Sequence, residues 1–74
     1  MKILFQKNEF KAEVIRREMT LESVARAINI DVASLHRKMN GTSDFYRKEI
    51  EGLIELLSLS SEDVMRIFFA REVA

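Results

Sequence analysis

Residues 20–41, TLESVARAINIDVASLHRKMNG, carry two short helical signals separated by a tight turn and closed by a stop. Thr20 is a good N-cap, because its hydroxyl can accept from a free N–H of the first helical turn. Val24, Ala25 and Ile28 follow at helical spacing on one face. Asn29 comes next, and Asn tolerates the left-handed conformation that ends many helices. Ile30 plugs the turn. Asp31 caps a second helix, where the helix dipole favours its charge. Leu35 and Met39 lie four apart on the inner face of that helix, and Asn40-Gly41 ends it. This order and spacing match a helix-turn-helix motif. Ala25 is the most informative residue, because a longer side chain would push apart two helices that cross at close range. Spacing alone leaves a second reading open, an ordinary αα-corner inside a helical domain.

The flanks extend the helical pattern. Residues 3–5 are too apolar for a free tail; they either cover an edge of the core or form an arm that packs on a second subunit. Asn8 can cap a first helix with Phe10, Val14 and Ile15 on its inner stripe and Glu13 beside it, ending at Glu18-Met19. Residues 41–45 read as a loop, with Ser43 or Asp44 capping a fourth helix over 46–57. Ile50, Leu53, Ile54 and Leu57 form its apolar face, and Glu49, Glu51 and Glu55 lie outside. Gly52 sits inside this helix at a cost of roughly 1 kcal/mol relative to Ala, which marks a close helix contact without showing which. Ser60 and Asp63 resemble a capping box for a fifth helix over 61–71. Val64, Ile67 and Phe68 make its inner stripe. Met65 and Phe69 widen that stripe, either as a generous core or as a dimer surface completed by Val73. The expectation is one all-α domain over residues 1–74, with five helices and a short N-terminal arm.

Size and composition exclude several function classes. A core in a chain of 74 residues stabilises by roughly 3–5 kcal/mol, which leaves little room for a buried catalytic site. There is no cysteine, so there is neither a disulfide framework nor thiolate chemistry, and one histidine without cysteine argues against a structural zinc site. No cofactor, metal or catalytic residue is expected. No Ser-His-acid set or Gly-rich phosphate loop is present, and the pairs Glu9/Glu13 and Glu51/Glu55 read as solvated helix faces, so the chain does not read as an enzyme. The longest apolar runs, 3–5 and 67–70, are far too short for a membrane span, and the first residues lack the apolar length of a signal peptide. A cytoplasmic protein fits best.

Net charge is zero, but the charge is unevenly placed. Residues 34–48 carry Arg37, Lys38, Arg47 and Lys48 against Asp44 alone, a local +3, whereas residues 49–63 hold five acidic groups and no basic one. A chain polarised in this way can orient on a polyanion while limiting non-specific binding.

Taken together, these residues resemble the helix-turn-helix domains of phage repressors and Cro-like regulators, the Xre-like family, over about residues 10–69. The likeness rests on Met19-Thr20, Val24-Ala25, Ile28, Ile30-Asp31, Leu35, Met39-Asn40-Gly41, Glu49-Ile50 and the run 57–60, LSLS. No single element is specific; the ordered set is. The chain departs from the family where glycine is common, with Glu18 at the end of helix one, Asn29 in the turn and Ser58 after Leu57. It also places Val32 and Ala33, rather than polar residues, at the start of helix three.

The resemblance implies a compact lambda-repressor-like fold and a sequence-specific, repressor-like regulator of transcription of the phage or mobile-element type. Helix three, residues 32–39, would enter the major groove of double-stranded DNA. Val32 and Ala33 can touch thymine methyls, and Ser34 and Arg37 would read bases, with His36 flanking them. Arg37 has a second reading as a solvated or phosphate-bound arginine. Phosphate contacts would come from Thr20, Lys38, Asn40, Thr42, Ser43, Arg47 and Lys48. A homodimer through the C-terminal helix or the N-terminal arm would let two copies engage two half-sites. The alternative function is a protein–protein interaction module on the same fold with weak or no DNA binding, which Glu22, the acidic helix four and the apolar Val32-Ala33 would suit.

Overall fold

The computed structural model describes residues 3–71. Five helices are framed by a two-residue strand at each end: β1 (Ile3–Leu4), α1 (Lys7–Arg16), α2 (Leu21–Ala27), α3 (Val32–Met39), α4 (Arg47–Leu56), α5 (Ser61–Phe68) and β2 (Ala70–Arg71). The strands pair antiparallel, with Ile3 opposite Arg71 and Leu4 opposite Ala70. The five-helix expectation therefore holds, with the terminal strand pair as an addition. That pairing shortens the fifth helix, which stops at Phe68 rather than continuing to 71, because Ala70 and Arg71 turn their backbone groups toward Ile3 and Leu4.

The helix starts follow from local chemistry. Thr20 Oγ1 accepts from Ser23 N–H at 3.1 Å, while Thr20 N–H donates back to Ser23 Oγ at 3.0 Å. Asp31 Oδ1 accepts from Ser34 N–H at 2.6 Å. Ser60 and Asp63 form the reciprocal box, at 3.1 and 3.0 Å. Two expected caps are not used. Helix α1 begins at Lys7 behind Gln6, whose N–H is drawn to Ile67 O at 2.8 Å, so Asn8 lies inside the helix. Helix α4 begins after Tyr46, not Ser43 or Asp44, because Glu49 Oε1 accepts Tyr46 N–H at 2.8 Å.

The helix ends repeat one device. After α1, α2, α3 and α4, the residue two beyond the last helical one sits in the left-handed region: Glu18 (φ 56°), Asn29 (φ 64°), Gly41 (φ 84°) and Ser58 (φ 50°). The next N–H in each case reaches back over the turn: Met19 to Val14 O, Ile30 to Ala25 O, Thr42 to Arg37 O and Leu59 to Ile54 O, all at 2.9–3.0 Å. These are Schellman closures, which satisfy carbonyls that a helix end would otherwise leave open. Glu18, Asn29 and Ser58 thus keep the backbone that glycine favours at those three positions. The first helix also ends at Arg16, short of Glu18-Met19.

The core gathers Phe10 and Val14 of α1, Val24 and Ala25 of α2, Leu35 and Met39 of α3, Leu53 of α4, Ile67 and Phe68 of α5, and Leu57 and Leu59 after α4. Phe5 is the centre of an aromatic group, with ring centroids 5.5 Å from Phe10, 5.0 Å from Phe45 and 5.4 Å from Phe68. The N-terminal segment therefore covers the core edge of its own chain. Ile15 departs from the expected inner stripe and is 72% exposed, whereas Glu13 is buried and bound by Arg16 and Arg17. Gly52 faces α2: a Cβ built on it would lie 3.2 Å from Ile28 Cγ2. That is the close contact the mid-helix glycine signals.

Candidate nucleic-acid interface

Helix α3 buries Leu35 and Met39 and turns Ala33, His36 and Arg37 to solvent, with Asn40 exposed at its end. Positions 33, 36, 37 and 40 share one face by helical periodicity. The inner face is fixed by the crossing of α2 over α3, where Ala25 is buried and leaves no side chain beyond its methyl to separate them. Val32 and Ser34 are half-buried. Val32 packs on the core and lines the small groove between α2 and α3, with Glu22, Ala25, Arg26, Ile30 and Asp31. Its outward share is smaller than that of Ala33.

Ser34 and Arg37 are brought together. Arg37 Nη2 donates to Ser34 Oγ at 2.9 Å, one turn apart, which holds the guanidinium along the outer face of α3. Asp31 completes this chain from the helix start. The Ser34 backbone N–H, then the Ser34 hydroxyl, lower its carboxyl from the ordinary value, with Arg37 adding an attraction.

Two features limit what the loop after α3 can offer to a phosphate. The backbone N–H groups of Asn40, Gly41, Thr42 and Ser43 point back to His36, Lys38 and Arg37 carbonyls, so they close the helix rather than await an anion. The side chains of Asn40 and Thr42 are exposed and that of Ser43 half-buried. Lys38 is withdrawn from solvent, at 7% exposure. Its Nζ lies 2.9 Å from Glu49 Oε1, donates to Asp44 O at 3.0 Å, and sits 4.1 Å from the centre of the Tyr46 ring. An ammonium held on those sides is not a free phosphate ligand, so Lys38 leaves the set of expected contacts. Glu49, expected outside, is its buried partner.

Arg47 and Lys48 are exposed at the start of α4, with Arg47 Nε 3.3 Å from Glu51 Oε2. Thr20 is exposed at the start of α2. One cation was not singled out by the sequence. Lys7, at the start of α1, donates from Nζ to Asn40 Oδ1 at 3.1 Å, which sets a further positive charge beside the end of α3. The two residues are 33 apart in the chain, and no local pattern connects them.

A comparison with protein families matches residues 11–69 to the Cro/C1-type HTH DNA-binding domain. The chain belongs to that family. The matched region spans α2–α3, the left-handed turn at Asn29 and the capped α5, so the Cro/C1-type assignment and the geometry concern the same residues. Comparison with curated proteins and with solved structures finds no significant match. The family is one of DNA-binding domains, which makes the exposed face of α3 the candidate interface of this Cro/C1-type chain. Among the described residues, no cluster of His, Asp or Glu is arranged to hold a metal ion, and no helix is long and apolar enough to cross a membrane.

Met65 and Phe69 lie one turn apart near the end of α5, 55% and 39% exposed. Phe69 also lines an open cleft of about 710 Å³ with Leu4, Phe5, Phe45 and Phe68. Val73, the third residue of the expected dimer surface, lies outside the described residues.

Proposed function

We propose that the chain is a sequence-specific double-stranded DNA-binding regulator of transcription, acting as a cytoplasmic repressor of the phage or mobile-element type and not as an enzyme. The observation that carries this reading is Arg37, exposed on the outer face of α3 and held there by Ser34 within a DNA-binding family domain. With α3 in the major groove, Arg37 meets guanine O6 and N7, while Ala33 and the exposed part of Val32 meet thymine methyls. Ser34 steadies the arginine, and His36 flanks it on the same face. Lys7, Asn40, Thr42, Ser43, Arg47 and Lys48 meet phosphates on one side of the motif, and the Thr20 hydroxyl meets one at the start of α2. Met65 and Phe69 form the contact between two copies bound at half-sites about one DNA turn apart, roughly 34–36 Å.

The test is fluorescence anisotropy with a mixed-sequence duplex from about 50 to 200 mM salt. The three cations placed on phosphates, Lys7, Arg47 and Lys48, predict a slope near −2.7 per copy, a loss of about fortyfold over a fourfold change in salt. Arg37→Ala should cost about 1–3 kcal/mol at the preferred site and little on other sequences. Absence of binding at the lowest salt, at high micromolar protein, would remove this reading. It would favour the protein-interaction module, which the zero net charge and Glu22 in the first turn of α2 also suit.

A further inference from the structure

Three charged side chains are buried among the described residues: Glu13, Lys38 and Glu49. Glu13 is held by Arg16 of its own helix and by Arg17 at that helix's C-cap, so it orients no element against another. Lys38 and Glu49 join α3 to α4 across the intervening loop. Taking both charges out of water costs about what their attraction returns, so such a pair adds little net stability. What it adds is one arrangement among several. The near end of the loop is closed on α3 by the N–H groups of residues 40–43. Its far end is held by the carbonyl of Asp44 on Lys38 Nζ and by the N–H of Tyr46 on Glu49 Oε1. The Tyr46 ring covers the ammonium. Asn40, Thr42 and Ser43 belong to the near anchor, and the far anchor begins at the very next residue, Asp44.

We propose that Lys38 is a positioning residue: paired with Glu49, it holds the loop in the shape that presents Asn40, Thr42 and Ser43 to a DNA phosphate, and it does not touch DNA itself. This role rests on the DNA-binding reading given above. It makes a distinction that salt can read. A lysine that binds a phosphate releases a counterion, and its loss lowers the salt slope by about 0.9. A lysine that only shapes the loop leaves the slope unchanged when removed.

The decisive variant is Lys38→Met with Glu49→Gln. It removes both charges together, so no lone charge is left buried, and Gln keeps an acceptor for Tyr46 N–H. The expected result is a melting temperature close to the parent's and an unchanged salt slope. Affinity should fall about tenfold on every duplex, the cost of ordering one or two loop residues on binding. Lys48→Ala is the comparison, and its slope should drop by about 0.9. A slope drop of that size in the double variant would make Lys38 a direct phosphate ligand and overturn the proposal. An unchanged affinity would overturn it as well, because the loop would not need the tether. Should the double variant fail to fold, the unaltered protein supplies the answer by nitrogen-15 NMR of the Lys38 ammonium in the duplex complex. That signal should stay where it is in the free protein, whereas coupling to phosphorus would overturn the proposal. Failure of the unaltered chain to bind any duplex would remove the DNA reading and this role together; the other outcomes bear on the role alone.

Discussion

At the end of α2, Ile30 N–H closes on Ala25 O at 3.0 Å with Asn29 left-handed; at the end of α3, Thr42 N–H closes on Arg37 O at 2.9 Å with Gly41 left-handed. The backbone device is the same. The side chain that follows it differs: Ile30 packs on the core, whereas Thr42 is exposed. The first closure locks two helices into a motif by burial. The second leads into a loop whose free surface is polar, and the far end of that loop is then held by a buried ion pair, Lys38–Glu49. Apolar closures also follow α1 and α4, where Met19 packs on the core and Leu59 is buried. The end of α3 is thus the one closure of the four that gives up an apolar anchor, and it does so beside the candidate interface.

The strongest way to break this contrast is to leave one half of the ion pair behind. Glu49→Leu strands the Lys38 ammonium in the interior, at a cost of about 3–5 kcal/mol. That equals roughly the whole stability expected of a core this small, so the variant should be largely unfolded at 25 °C by circular dichroism. A cooperative melt near the parent's temperature would show that the pair holds nothing together.

Next in size is the pair of residues that defines the comparison. Ile30→Ala removes a half-buried side chain at the turn and should destabilise by about 2 kcal/mol, the low end of the range for aliphatic truncation. Thr42→Ala should leave urea denaturation unchanged within about 0.5 kcal/mol while weakening duplex binding. Equal effects on stability would mean that the two turns are used alike.

Much of this was legible in the sequence because it is local. Thr20, Asp31 and Ser60 cap through neighbours three residues away, and Ala25, Leu35 and Met39 carry helical period. Even the departures from glycine at Glu18, Asn29 and Ser58 marked the three helix ends; the left-handed backbone was legible at Asn29, which tolerates it, but not at Glu18 or Ser58. What stayed hidden depends on distant pairings. A two-residue strand has no period to detect, so Ala70 and Arg71 read as helix. Lys38 and Glu49 each look like ordinary surface charges until α3 and α4 are placed together, and Lys7 meets Asn40 only in the folded chain. Ile15 follows the apolar pattern but points outward, since hydrophobic character alone does not require burial.

Smaller effects concern the left-handed residues themselves. Gly41→Ala meets no atom within 4 Å, so its cost is conformational, about 1–2 kcal/mol. Glu18→Gly and Ser58→Gly relieve the same strain but loosen the unfolded chain by about 0.4–1 kcal/mol, for a net gain of up to about 1 kcal/mol each. Asn29→Gly should gain least, because Asn tolerates this region. Thermal melts of the four variants rank them, and a gain at Asn29 larger than at Glu18 would contradict the strain account.

The smallest effect sharpens the contrast at the opposite helix ends. Asp31 starts α3 and Asp63 lies in the first turn of α5, and both carboxyls are depressed from 3.8. For Asp31 the main cause is the Ser34 N–H; for Asp63, brought to about 2, it is the Arg66 guanidinium, which also binds Glu9 of α1. A depressed carboxyl favours the folded state when ionised. Its contribution is therefore complete above the ordinary value and fades as pH falls through the folded-state value, for Asp63 from about 4 toward 2. Because Asp63 is tied through Arg66 to another helix and Asp31 is tied only within α3, Asp63→Asn should flatten the acid side of the melting curve more than Asp31→Asn. Asp31 is exposed and Asp63 is half-buried but still open to solvent, so raising salt should shrink the difference. Equal flattening by the two variants would assign the acid response to capping alone and leave the Glu9–Arg66–Asp63 link between α1 and α5 without a role in stability.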